Sequence, residues 1–121
     1  MGKKILVVDD SAVIRQVEES VLGKAGYDIV SATGGRDGLA KLEVGSFNLI
    51  LTDLNMPDLD GVSLIKQVRA GTKHRLTPIV MITTESKDTK KQEGKSAGAT
   101  AWMVKPFTPE QLLSVVKRII G

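Results

Sequence analysis

Four short, nearly unbroken apolar runs punctuate the chain: Ile5 to Val8, Leu49 to Leu51, Ile79 to Ile82 and, more weakly, Ala101 to Val104. Runs of this length suit strands that are buried on both faces. Tyr27 to Ala32 alternates more and reads as an edge strand. Between these runs, apolar residues return at helical spacing: Val13, Val17 and Val21; Leu39 and Leu42; Ile65 and Val68; Leu112, Val116 and Ile119. Strand and helix therefore alternate five times. The pattern predicts an α/β fold, a doubly wound sheet of five parallel strands with helices on both faces, because each right-handed crossover returns the chain parallel to the preceding strand. One segment stands apart. Glu85 to Gly98 has Ala97 but no large aliphatic residue, and it carries Gly94 and four lysines, so a helix there would be weakly anchored.

Composition narrows the chemistry. At 121 residues, with no linker, repeat or low-complexity stretch, one domain over 1–121 is expected, without an output domain. The absence of cysteine removes disulfides and thiolate metal sites, and the single His74 cannot by itself build a zinc site. Any metal should be a hard, oxygen-bound one. The run from Ile5 to Val8 is too short for a signal peptide core or a membrane span, which points to the cytoplasm without membrane insertion. A net charge of +3 and only four aromatic side chains, Tyr27, Phe47, Trp102 and Phe107, argue against direct nucleic-acid binding. His74, between Lys73 and Arg75, reads as a solvated loop residue with no assigned role.

Open doubly wound sheets bind ligands beyond the carboxyl ends of their strands, near the point where strand order reverses. Asp9 and Asp10 follow the first strand, Asp53 follows the third, Thr83 ends the fourth and Lys105 follows the fifth. Each has an ordinary explanation alone. Asp10 or Ser11 could cap a helix, and Asp53 could form a turn. Their shared placement on one rim is the informative part. Clustered carboxylates repel one another unless a cation compensates them, and an all-oxygen site with room for water suits Mg²⁺. Phosphoryl transfer follows as the natural chemistry, with a carboxylate as nucleophile and the metal and an ammonium neutralising the transferred group.

The motifs Val7-Val-Asp-Asp-Ser11, Leu51-Thr-Asp-Leu-Asn-Met-Pro57 with Gly61 beyond, Ile82-Thr-Thr-Glu85 and Trp102-Met-Val-Lys-Pro-Phe107 resemble the receiver domain of bacterial response regulators, especially the stand-alone chemotaxis type. The resemblance covers essentially the whole chain, with separations of 43, 30 and 22 residues between Asp10, Asp53, Thr83 and Lys105. It implies a flavodoxin-like sheet of strand order 2-1-3-4-5 and Asp53 as phosphoacceptor. It also implies Mg²⁺ held by Asp9, Asp10, Asp53 and the backbone carbonyl of Asn55. Lys105 and Thr83 would contact the phosphoryl group, with Thr83 and Trp102 as switch residues and a cis bond before Pro106. Asn55 and Glu85 would tune dephosphorylation. The implied donor is a phosphohistidine on a sensor histidine kinase or phosphohistidine domain. The downstream target is a protein, with the flagellar switch, a phosphorelay and feedback on a kinase as candidates. The family often carries Tyr or Phe where this chain has Trp102, so the indole either switches or merely covers the sheet edge.

Three rival readings carry less. Gly94-Lys95-Ser96 resembles the end of a nucleotide-binding phosphate loop, but Thr89 stands where the first glycine belongs. A flavin module shares the topology, yet three rim acids would oppose an anionic phosphate. A phosphorylation-independent docking module would not need the intact acid set.

Overall fold

The computed structural model describes residues 2–121. Five strands, β1 (Lys4–Val8), β2 (Asp28–Ala32), β3 (Leu49–Thr52), β4 (Ile79–Thr83) and β5 (Ala101–Val104), alternate with five helices, α1 (Ala12–Lys24), α2 (Gly35–Val44), α3 (Gly61–Ala70), α4 (Asp88–Ala97) and α5 (Pro109–Ile120). The strands form one parallel sheet in the order β2-β1-β3-β4-β5, so β2 lies at an edge and the order reverses between β1 and β3. No helix among the described residues is long and apolar enough to cross a membrane.

Successive strand side chains point to opposite faces, and the buried residues sort accordingly. Leu6, Val8, Ile50 and Met81 join Leu42 of α2 and Leu64, Ile65 and Val68 of α3 in one cluster. Ile5, Val7, Leu51, Val80 and Ile82 join Leu22 of α1 and Leu112 and Val116 of α5 in the other. The helix starts have chemical causes. The Ser11 hydroxyl accepts from the Ile14 N–H at 3.3 Å, Asp60 accepts from the Ser63 N–H at 2.8 Å, and Thr108 with Gln111 closes a capping box on α5.

Of the apolar stripe read on α1, only Val21 packs on the core. Val13 is 67% exposed and Val17 39%, while the parallel row Ile14, Glu18 and Leu22 turns inward. Both rows have four-residue spacing, and a glutamate in the second disguised it as the solvent side. On α4 only Gly94 is buried, in keeping with its lack of aliphatic side chains. Its C-terminal end is nevertheless tied down. The Arg69 guanidinium donates to the carbonyl of Gly98, the α4 C-cap, at 2.9 Å from Nη2 and 3.2 Å from Nε. Nη1 of the same side chain reaches the carbonyls of His74, Arg75 and Thr77.

His74 is not a solvated loop residue: it is only 6% exposed. Its Nε2 accepts the Phe47 N–H at 3.2 Å, which fastens the α3–β4 loop to the segment before β3. Burial, with Lys73 nearby, lowers its pKa below the ordinary 6.5. The folded state thus takes up this proton less readily than the unfolded chain. The contribution is intact above pH 6.5 and is lost as pH falls below that value. In His74→Gln, whose amide oxygen can accept the same N–H without titrating, urea unfolding should show a shallower loss of stability between pH 7 and pH 5 than in the wild type.

Candidate functional site

Two acids of the rim and its lysine are fixed by the strands beside them. The Asp9 N–H donates to Ala32 O at 3.2 Å, the Asp53 N–H to Val8 O at 3.0 Å and the Lys105 N–H to Thr83 O at 2.8 Å. These bonds continue the parallel ladder one residue past the strand ends, so β1, β3 and β5 deliver their first loop residues to one place. Gly61 permits the close approach of α3: a Cβ there would lie 2.4 Å from the Asp53 carbonyl oxygen.

The carboxylates of Asp9, Asp10 and Asp53 each offer an oxygen within 4.8 Å of the others. Asp9 and Asp53 are buried and Asp10 is exposed. The Lys105 ammonium bridges the two buried acids, at 2.8 Å from Asp9 Oδ2 and 3.2 Å from Asp53 Oδ2. The remaining oxygens are oriented by backbone donors, Ser11 N–H to Asp9 Oδ1 at 2.9 Å and Leu54 N–H to Asp53 Oδ1 at 2.7 Å. Two carboxylates buried around one ammonium raise the Lys105 pKa against the opposing effect of its desolvation, which is the largest single influence. The donor set is all hard oxygen and Asp10 is exposed to solvent, which fits Mg²⁺ and its retained waters.

The other residues singled out above lie around this centre. Thr83 is fully buried, and its hydroxyl accepts from the Glu85 N–H at 3.3 Å. Asn55 is exposed on the β3–α3 loop. The Lys105–Pro106 peptide bond is cis. Trp102 is half-buried, and its Nε1 donates to the Glu85 carbonyl at 3.0 Å. The Glu85 carboxylate accepts from the Lys87 N–H at 3.0 Å and so supports the start of α4, whose N-cap side chain makes no capping bond.

A fourth carboxyl was not anticipated. Glu18 on α1 is 2% exposed, and burial pushes its pKa up to about 8, with Asp9, Asp53 and Glu19 adding to the shift and Lys105 opposing it. The i, i+4 row that it shares with Ile14 and Leu22 was the available signal.

The response regulator receiver domain family profile matches residues 5–117. The chain is 37% identical over 120 residues to the chemotaxis protein CheY1 of Helicobacter pylori strain J99, covering 98% of this chain and 97% of that one. Its fold superposes on the chemotaxis protein CheY4 of Vibrio cholerae with a TM-score of 0.95 at 46% identity, over 98% of this chain and 99% of that one. It also matches the receiver domain of a Pseudomonas aeruginosa sensor histidine kinase, whose structure carries a magnesium ion in the active-site cleft, with a TM-score of 0.91 and 30% identity over 100% and 99% of the two chains. The chain belongs to the response regulator receiver domain family.

Two consequences can be measured. Because the folded-state pKa of Glu18 is raised, its contribution is fully present below the ordinary 4.5 and is lost as pH rises through about 8. In chelator, Glu18→Gln should therefore gain stability over wild type with rising pH, reaching on the order of 4 kcal/mol above pH 8 in urea unfolding. Equal pH slopes would show that Glu18 ionises freely. Secondly, a Cβ on Gly94 would lie 2.8 Å from the Trp102 ring. Gly94→Ala should displace the indole and break its bond to Glu85, shifting tryptophan emission, despite the roughly 1 kcal/mol gain in helix propensity.

Proposed function

We propose that the protein is a phosphorylation switch in the cytoplasm, in which Mg²⁺-dependent phosphoryl transfer from a phosphohistidine of a sensor kinase to Asp53 reshapes the surface around residues 85–107. One observation carries this reading: the buried Asp53 carboxylate lies beside Asp9 and Asp10, oxygens within 4.8 Å, and is bonded to the Lys105 ammonium. A carboxylate oxygen of Asp53 forms the bond to phosphorus as the phosphorus–nitrogen bond of the donor breaks. Mg²⁺, held by Asp9, Asp10, Asp53 and the Asn55 carbonyl, would supply positive charge to the phosphoryl oxygens. The Lys105 ammonium, now bonded to Asp9 and Asp53, would exchange its bond to Asp9 for one to a phosphoryl oxygen. Water attacking the phosphorus of the acyl phosphate breaks the Asp53 oxygen–phosphorus bond and releases inorganic phosphate, a step that Asn55 and Glu85 would tune.

The outward signal follows a short chain of bonds. Thr83 now accepts from the Glu85 N–H, and the Glu85 carbonyl accepts from Trp102 Nε1. A phosphoryl oxygen that draws Thr83 away frees the Glu85 backbone and, with it, the indole seated on Gly94. The N-terminal end of α4 has little to hold it, so a differential interaction of a few kcal/mol suffices to repopulate its arrangements. The similarity to CheY1 and CheY4 favours a protein target in chemotaxis-like signalling.

Asp53→Asn should lose labelling by a phosphohistidine donor or acetyl phosphate while keeping the fold; label retained near the wild-type level would mean another acceptor. Trp102 emission should change with beryllofluoride plus Mg²⁺, much less with Mg²⁺ alone, and not with the phosphoryl reagents in Asp53→Asn. Thr83→Ala should still be labelled but show little emission change. Constant emission and quencher accessibility in labelled wild type would make Trp102 a cover rather than a switch.

A further inference from the structure

The loop 53–60 carries both Asp53 and Asn55 between β3 and α3, and its middle is held in an unusual way. At its ends the Asp53 N–H donates to Val8 O at 3.0 Å and the Gly61 N–H to Leu54 O at 2.8 Å. Among the described residues, the backbone of 55–58 makes no hydrogen bond to other backbone. Asp58 takes over that task. Its Oδ1 accepts from the N–H of Gly35 at 3.2 Å and of Leu59 at 2.8 Å, and its Oδ2 from the Arg36 N–H at 3.0 Å. Gly35 and Arg36 form the first turn of α2, whose own N-cap, Gly34, has no side chain to offer. The helix start and the loop thus complete one another across more than twenty residues. These N–H donors, with Arg36 first among them, hold the Asp58 carboxyl below the ordinary carboxylate range.

We propose that Asp58 is a positioning residue of the Mg²⁺ site: by capping α2 it fixes the β3–α3 loop, and so sets the Asn55 carbonyl against the Asp53 carboxylate. This rests on the reading of Asn55 as a metal ligand. Asp58 touches none of the reacting groups; it acts through the loop. Loss of its bonds leaves α2 with a second anchor, since Asp37 accepts from the Thr33 N–H at 2.9 Å and pairs with Lys41. The helix should therefore persist while the loop between Leu54 and Asp60 gains freedom, and a metal that demands near-ideal octahedral geometry is sensitive to such freedom.

The test is titration of the full chain with MgCl₂ by calorimetry, beside urea unfolding in chelator and amide exchange. Asp58→Ala should weaken Mg²⁺ binding about tenfold and speed exchange at Asn55 and Met56. Asp58→Asn, which keeps one acceptor oxygen, should fall between Asp58→Ala and wild type. Gly34→Ala keeps the charge but puts a Cβ 2.9 Å from Asp58 Oδ1, so it should weaken binding in the same direction; that separates positioning from simple attraction by the Asp58 charge. Should Asp58→Ala not fold, the other two variants carry the same comparison. Mg²⁺ affinity in all folded variants within about twofold of wild type, with stability alone reduced, would make Asp58 a helix cap and overturn the proposal. A wild type that binds Mg²⁺ no better than Asp10→Asn would instead overturn the reading of the metal site itself.

Discussion

Three carboxylates with oxygens inside 4.8 Å repel one another, a cation among them offsets that repulsion, and the arrangement of this rim follows from that constraint. Lys105 supplies one positive charge, bonded to Asp9 and Asp53 together. Three negative charges against one positive leave a formal deficit of two, which a divalent ion would neutralise. The buried Glu18 would disturb that balance if it ionised, and its raised pKa keeps it protonated at neutral pH. Site and supporting core are in this sense one electrostatic unit: the burial that packs α1 on the sheet also disfavours charge on Glu18.

The same unit divides the molecule into stiff and soft parts. Backbone bonds from Asp9, Asp53 and Lys105 to neighbouring strands extend the sheet ladder into the site, so the carboxylates inherit the rigidity of a core buried on both faces. On the other side of β4, α4 is held at its C-terminal end by Arg69 and at its start by bonds that pass through Glu85 and Trp102. A helix held firmly at one end and lightly at the other has a natural pivot. Local stability is lowest where few apolar contacts are made, which is where a switch must lie.

Much of this was legible in the sequence, for definable reasons. Strands buried on both faces write themselves as continuous apolar runs, and the rule that ligands gather at strand ends converts those runs into a rim containing Asp9, Asp10, Asp53, Thr83 and Lys105. What escaped has an equally physical origin. Glu18 was hidden because charge at helical spacing ordinarily marks the solvent side, and α1 therefore seemed to pack through Val13 and Val17. His74, Arg69 and Asp58 were hidden because their partners are backbone N–H and carbonyl groups of distant loops, which every residue possesses and no side-chain pattern records.

Those backbone-directed side chains share a pattern of their own. Arg69 bonds four carbonyls at the end of α4 and the start of β4; His74 accepts one N–H before β3; Asp58 accepts N–H groups at the start of α2. Each gives a helix end or loop a partner for backbone groups that the regular hydrogen-bond ladders leave unpaired. All three lie on α3 or in the loops flanking it. This helix therefore does more than cover one face of the sheet: it gathers the loop that carries Asp53 and Asn55, the loop before β4 and the fixed end of α4 into a single frame. Beside that frame, the two bonds along Thr83, Glu85 and Trp102 are the lighter connection between the rim and α4.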